Sequence, residues 1–552
     1  MWNSRWVAGC VITALISLSA LRCYKTYRVF NDTADESSHI GAGLDILQTG
    51  SYATDYVQPP LARVALALPA YWMGLRRSDQ ERQLSHHALW TRASREFYWK
   101  TLAAARAGNL IFLPFLIAYV YVWAKQLYGR VAGLAASALT SFSPNLLAHA
   151  SLATVDFGAA ATIFIAAYYL WRWAQKAGAR HCAAAAAACG IAVLVKFSAL
   201  FFLPPIGVAF FLLAAKKRRG AGKPVWMTSA LRSAALFAAV LILVAWAGYR
   251  FETGPLPPAR IQPVPGTLGQ YAESAIQVGT LHGRIFLPAP SLIRGLLSVF
   301  ALNARARRAY LLGRVSSSSF RVYFLVALAV KTTLPLLLLS AIALALCVVE
   351  SWTGSLSTAA YPAIAGALML VVGVMSRINV GIRHLLPIFP FLALLAASLF
   401  ADESAGARPG GRILAGIAWA LLAWHGVESI AAHPDYLPYF NEIARGHAEH
   451  FLLDSNLDWG QDLERLRQFT QQHGITTLYL SYFGRPGPDF LGIPDVRPLP
   501  AGMRPFGWVA VSKNHRGGIG RNPSDLAWLA GHAPAALVGR SILVYHFPGR
   551  HD

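Results

Sequence analysis

About eleven apolar runs, most of roughly 16 to 20 residues, recur between residues 6 and 431, and nothing else in the chain constrains the fold so strongly. They lie near 6–21, 103–124, 131–148, 157–174, 182–197, 199–215, 229–249, 332–349, 358–375, 385–400 and 412–431. Runs of this length bury themselves in lipid, so the pattern predicts an α-helical polytopic membrane protein with about 11 transmembrane helices. Composition agrees: 14% of the 552 residues are charged, against about a quarter in a soluble protein, and the mean hydropathy is +0.42. The net charge of +23 would otherwise suggest nucleic acid. Much of the excess sits between apolar runs, where membrane orientation and anionic lipid account for it, and no nucleic-acid partner is read.

The placement of Lys and Arg sets the orientation. With a cytoplasmic N-terminus, the inner loops hold Lys125 and Arg130, then Arg172, Lys176 and Arg180, then Lys216, Lys217, Arg218, Arg219 and Lys223. The last cluster is the strongest positive-inside signal. Outside fall the loop 22–102, the turn 149–156, the long loop 250–331, and everything after residue 431. Residues 1–431 read as a transmembrane catalytic domain. Residues 432–552 read as a small soluble extracytoplasmic α/β domain, with helix-like DWGQDLERLRQF and strand-like TTLYLSY, GWVAVS and SILVYHF. The first 22 residues resemble a signal peptide but lack a convincing small-residue cleavage site, so a retained first helix in a bacterial inner (plasma) membrane is expected. Four of the five cysteines fall in apolar runs and none forms C-x-x-C, so neither a disulfide framework nor a zinc knuckle is suggested.

Thr33 to Leu61 is expected to leave the first helix and lie along the outer membrane surface. It opens with Asp35, Glu36 and His39 and ends in Gln58-Pro59-Pro60-Leu61. Thr33-x-x-Glu36 is also a capping box, and Asp35 suits a first helical turn. Glu36 and His39, three apart, or Asp35 and His39, four apart, could share a helix face as metal ligands. The run from Asp454 to Asp462 spaces its acids like a calcium loop, but Trp459 stands where that loop needs glycine and Arg465 where it needs glutamate, so a calcium hand is rejected. Asp458 reads instead as a helix N-cap with Gln461 three residues on. The long loop carries Arg284, Arg294, Arg305, Arg307, Arg308, Arg314 and Arg321, which suit either an anionic ligand or a solvated interfacial face.

These stretches together resemble the phospholipid-carrier-dependent glycosyltransferases of the GT-C class, which include protein O-mannosyltransferase-like and aminoarabinose-transferase-like enzymes. The resemblance runs through the Asp-Glu pair, G-x-Y and PPL of the first loop, then HASLATVD at 149–156, LVKFS at 194–198, LPAP at 287–290, YLLG at 310–313 and KTT at 331–333. It continues through NVGIRHLLPIFPF at 379–391, PDYLPYFNE at 434–442 and DSNLDWGQDL at 454–463, the most distinctive string.

The resemblance implies a GT-C-like fold and transfer of a sugar from a polyprenyl-phosphate donor to an acceptor hydroxyl on a protein, glycan or lipid. It implies an extracytoplasmic site and an inverting course. Asp35 matches the first-loop acid and is the expected base, with Glu36 orienting it or capping the helix. Asp156 matches the second acidic position, with helix N-capping as its plain alternative. Lys196, Lys331 and Arg383 stand at outer ends of apolar runs, where cations are costly without a function or snorkelling. They are expected to hold the donor phosphate, with His384 as a further donor. Relatives differ over a divalent ion, and this chain lacks a clear D-x-D, so metal dependence stays open. A polyprenyl-linked sugar transporter or flippase would also want basic lipid contacts, but no internal repeat is visible and the polar clusters gather at one face. An inactive scaffold is the other alternative, against which the paired acids and cations count.

Overall fold

The computed structural model describes residues 5–84, 89–90, 93–220, 230–259, 261, 270, 274–276, 286–305, 307–353, 357–401, 411–484 and 492–548. Lys223 and Arg284 lie outside the described residues. A helix, or a broken pair of helices, stands at each of the eleven apolar runs, the first being α1 (Arg5–Tyr24). By length and composition, six helices among the described residues could cross a membrane, or seven if the pair Arg130–Ser141 and Pro144–Ala150, bent by 60°, is one span. The bend falls where Pro144 starts a new helix and pushes Ser143 into extended backbone.

The difference from eleven has a physical reason. Ala179–Val195 has 17 residues and Ala360–Met375 has 16, about 25 Å at the usual helical rise and short of the bilayer core. Ala179–Val195 packs against Val155–Gln175 and Ala230–Gly248, so neighbouring helices rather than lipid enclose much of it. The longer helices expose apolar side chains instead. Only 6% of Leu231–Gly248 is buried, and Leu231, Ile242 and Leu243 face outward, as a lipid-facing surface requires. Inside the bundle Trp123 packs against Phe164, Trp171, Phe210 and Phe391 and ties four helices together.

Thr33–Leu61 does not lie free on a membrane surface. It forms α2 (Glu36–Thr49), whose residues from Glu36 to Ile46 are all buried, and then enters α3 (Pro60–Trp72), against which α2 packs. The acids of this helix need protein partners, and enclosure supplies Arg106 to Glu36 and Arg77 and Arg82 to Asp45. Gly50 ends α2 in the left-handed conformation, at φ 73°.

Two short antiparallel pairs lie in the long loop, β1 (Thr253–Gly254) with β2 (Leu287–Pro288) and β3 (Ala309–Leu311) with β4 (Arg314–Ser316). The end of the chain forms the expected mixed α/β unit. The strand-like runs become β5 (Leu478–Ser481), β7 (Gly507–Ser512) and β9 (Ile542–Phe547), and two short edge strands are added, β6 (Val496–Pro498) and β8 (Ala536–Val538). Their order is β6-β5-β7-β9-β8; β5 runs parallel to β6 and β7, and β9 antiparallel to β7 and β8. A small separate core of Leu499, Val509, Val511, Leu526, Leu529, Leu543 and Tyr545 stabilises one face.

This unit is fastened to the bundle. Asn441 donates from Nδ2 to the carbonyls of Ala329 (2.6 Å) and Thr332 (2.7 Å). Asn31 donates to Gly460 O (2.7 Å) and accepts from Leu463 N (2.8 Å). Arg308 of the long loop reaches Gly518 O at 3.2 Å, so at least one arginine of that loop serves docking.

Candidate active site

Four elements converge on one row of charges. Asp35 stands at the start of α2, Asp156 in the first turn of Val155–Gln175, Lys196 just past Ala179–Val195, and Arg383 in the short turn Ile382–Leu385. Arg383 Nη1 lies 2.8 Å from Asp35 Oδ2 and 3.8 Å from Asp156 Oδ2. Lys196 Nζ reaches Asp156 Oδ1 at 2.5 Å. The signs alternate along Asp35, Arg383, Asp156 and Lys196, so each buried charge meets an opposite one.

The row is graded in access. The side chain of Asp156 is 1% exposed and that of Lys196 9%, whereas Asp35 is 34% exposed. Asp35 is therefore the carboxylate of the row that an incoming molecule can touch. Burial would raise its carboxyl, but Arg383 and then His39 outweigh that and hold it below the ordinary carboxylate range. His39, itself buried, is pushed down to about 4 by burial first and by Arg63 next, so it is neutral near pH 7.

Arg383 is held from two sides. Its guanidinium lies 4.3 Å from the centre of the Trp459 ring, a cation–π contact made by the C-terminal unit. Ile382 N donates to Asn456 Oδ1 at 2.9 Å, and Ser455 Oγ donates to Val380 O. Gly381 between them has φ 152°, and a Cβ there would collide with Ser455 Oγ. Among the described residues, Arg383 Nε and His384 Nε2 are buried without a hydrogen-bond partner.

Glu36 points the other way. Its Oε1 accepts from Arg106 Nε (2.8 Å) and Ala153 N (2.7 Å), and its Oε2 from Arg106 Nη2 (2.8 Å) and Thr33 N (2.8 Å). The bond from Thr33 N is one half of the capping box; among the described residues Thr33 Oγ1 has no hydrogen-bond partner, so the other half is not formed. At 0% exposure and with four bonds, Glu36 is a structural hub joining the first loop, the turn before Asp156 and Arg95–Asn109. The same four bonds leave Glu36 unsuited to share a metal with His39, and among the described residues no group of three or more His, Cys, Asp or Glu could hold one.

Lys331 also departs from expectation. It is 1% exposed, and its ammonium donates to Leu437 O (2.8 Å) and Asn456 O (2.7 Å) and sits over the Phe440 ring. It bolts the bundle to the C-terminal unit and takes no part in the row of ion pairs. Asp156 does not cap its helix, since Thr154 holds the N-cap position and Asp156 is spent on Lys196. Asp458 is no N-cap either: the helix begins at Leu463, and Asp458 accepts from Gly460 N (3.1 Å) and Asn514 N (3.3 Å). Gln461 folds back to Trp459 N instead.

Sequence reasoning missed Arg106 and the stacking role of Trp459. An arginine inside the apolar run 103–124 was a usable signal for the first, because such a charge needs a partner.

Residues 91–246, somewhat over a quarter of the chain, match the model of the family described as dolichyl-phosphate-mannose-protein mannosyltransferase. No curated protein matches the chain. Among solved structures, ArnT from Cupriavidus metallidurans bound to undecaprenyl phosphate aligns at 13% identity over 98% of both chains, with a TM-score of 0.48. The archaeal oligosaccharyltransferase AglB from Archaeoglobus fulgidus, in complex with an inhibitory peptide and a dolichol-phosphate, aligns at 14% identity over 76% of this chain and 56% of its own, with a TM-score of 0.45. The resemblance read from the motifs is thus borne out over residues 91–246, where the chain carries the pattern of a family of membrane glycosyltransferases.

Proposed function

We propose that this protein transfers a sugar from a polyprenyl-phosphate carrier to an acceptor hydroxyl, at the extracytoplasmic face of a bacterial inner membrane, with Asp35 as the base. The observation that carries the reading is the pairing of a partly exposed Asp35 with Arg383, beside the buried pair of Asp156 and Lys196. In the transfer the acceptor oxygen bonds to the anomeric carbon while the bond from that carbon to the phosphate oxygen breaks. The acceptor proton passes to Asp35, and the carrier leaves as a polyprenyl phosphate.

The charges fit this balance. The donor is a phosphodiester with one negative charge, and the leaving phosphate gains a second, so cations beside it stabilise the transition state more than the ground state. Lys196 and Arg383 supply that charge, and His384 a further polar contact. Asp35, held ionised by Arg383, is ready to accept a proton throughout the neutral range; its low basicity suits a proton transfer completed late, when the attacking oxygen has become acidic. Phosphate departs readily as an anion, so no general acid is needed, and one base with cations opposite it suits a single inverting displacement.

Asp156 serves as the counter-ion that keeps Lys196 and Arg383 in place. Glu36 and Arg106 fix the backbone on either side of Asp35 rather than touching substrate. Purified protein incubated with a panel of polyprenyl-phosphate sugars and candidate acceptors, followed by mass spectrometry, should reveal sugar on an acceptor hydroxyl. Carrier-linked sugar that crosses a vesicle membrane unchanged would point to a transporter instead.

A further inference from the structure

The C-terminal unit sets one more carboxylate, Asp454, immediately before the segment that grips the Arg383 turn. Asp454 has φ 57°, a left-handed conformation uncommon for a residue other than glycine and frequent at ligand sites. It is held so by two bonds: Asp454 N donates to Asn514 Oδ1 (2.7 Å), and Ser455 N donates to Asp454 Oδ1 (2.6 Å). The residues that follow grip the Arg383 turn through Ser455, Asn456 and Trp459. Arg383 is the charged group that acts on Asp454 most strongly, followed by Asp35 and Arg307. Burial outweighs their effect and raises its carboxyl to about 6.

We infer that the C-terminal unit completes the sugar pocket, with the Asp454 carboxylate as a ligand for hydroxyl groups of the sugar in transfer. The inference rests on the reading of Asp35 and Arg383 as the reaction site. In a displacement the anomeric carbon sits between the leaving phosphate and the hydroxyl bound at Asp35. The sugar ring must then extend sideways from the line joining them, alongside Arg383. The segment that packs on the Arg383 turn is Ser455 to Trp459, which follows Asp454 directly. An ionised carboxylate accepts two hydroxyl hydrogen bonds and donates none, which matches a ring bearing neighbouring hydroxyls. A residue held in position by two hydrogen bonds, one at its backbone N and one at its own Oδ1, is also preorganised to receive those hydroxyls.

The test uses the full chain, polyprenyl phosphate, and whichever of a panel of polyprenyl-phosphate hexoses and pentoses the wild-type protein binds more tightly than the bare phosphate. Asp454→Asn can keep the left-handed backbone and accept from Ser455 N; Asp454→Gly keeps the backbone without a side chain. Both should fold, as checked by thermal unfolding. Their affinity for the sugar-loaded lipid should fall by about 10-fold or more, while affinity for the bare polyprenyl phosphate stays within about twofold. Equal, undiminished binding of both lipids by the two variants overturns the inference and leaves the Asp35 site standing. So does a wild-type protein that binds every sugar-loaded lipid no better than the bare phosphate. If the wild type binds no lipid phosphate at all, or if Asp35→Asn and Arg383→Ala transfer sugar normally, the site itself is elsewhere and both readings fall.

Discussion

Glu36 and Arg106 meet in a two-pronged pair, with Nε to Oε1 and Nη2 to Oε2 both at 2.8 Å, and both side chains are almost fully enclosed. Arg106 spends its remaining donors on the carbonyls of Tyr27, Phe30 and Asn31. The pair therefore sets the course of the chain between the first helix and Asp35. Removing one partner of such a buried pair costs about 3–5 kcal/mol. Glu36→Gln should accordingly lower the unfolding temperature in detergent and reduce folded yield, and Arg106→Met should do the same. If either variant is as stable as the wild type while losing transfer, Glu36 acts on substrate after all.

Asp35→Asn should behave in the opposite way. It keeps the size of the side chain and leaves the Arg106 pair untouched, but cannot take a proton from an acceptor hydroxyl. Transfer should fall by about 10²–10⁴-fold with stability near normal. Substantial turnover by well-folded Asp35→Asn protein would move the base to another group.

The three lysine and arginine candidates should separate by phenotype. Arg383→Ala should weaken use of the sugar donor by about 10- to 100-fold. Lys196→Ala leaves Asp156 without its closest cation, so the cleaner variant is the double change Lys196→Met with Asp156→Leu, which should restore stability but not transfer. Lys331→Met should chiefly loosen the C-terminal unit, read as faster proteolysis after residue 431. Donor affinity that falls equally for all three, with no added protease sensitivity in Lys331→Met, would return Lys331 to the phosphate.

Two other acids set a pH dependence of stability. Burial raises the carboxyls of Asp32 and Asp458 to about 7, with Tyr98 the next influence on Asp32 and Gly460 N on Asp458. In the unfolded chain both lose their protons near pH 4. Between about pH 4 and 7 the folded form thus holds more protons than the unfolded one, so each group's contribution is full below that window and is lost as pH rises through it. Thermal unfolding in detergent should show stability falling over that range by an amount on the order of a few kcal/mol per group at most, and Asp32→Asn should flatten the slope. A slope unchanged by that substitution would place the titration elsewhere.

Orientation is open to a direct check. A reporter fused to the C-terminus should behave as extracytoplasmic, and one placed after Arg219 as cytoplasmic. Reversed behaviour would invert the whole assignment.

What the sequence could say follows from the range over which its signals act. Apolar runs and alternating strands are local, and the helices and the strands β5, β7 and β9 stand where they were expected. The short edge strands β6 and β8 carry only three residues each, too few for a period to show. Asp35 and Glu36 are neighbours with the same chemistry, yet one helical step turns them toward different partners, Arg383 and Arg106, distant by 348 and 70 residues. No local pattern separates them. Lys196 and Lys331 likewise look alike at the ends of apolar runs; a carboxylate meets the first and two backbone carbonyls the second. The number of spans was harder to read because helices enclosed by other helices need not match the bilayer.

The contact of Trp459 with Arg383 has a consequence for how the protein is made. A chain synthesised and inserted from its N-terminus would have Asp35, Asp156, Lys196 and Arg383 in the membrane well before Trp459 emerges. In the proposed orientation, the Arg383 turn would gain its outer support only when the last part of the chain has been exported and folded. Under the proposed function, a copy stalled or clipped before Trp459 would lack that support and would not consume carrier-linked sugar.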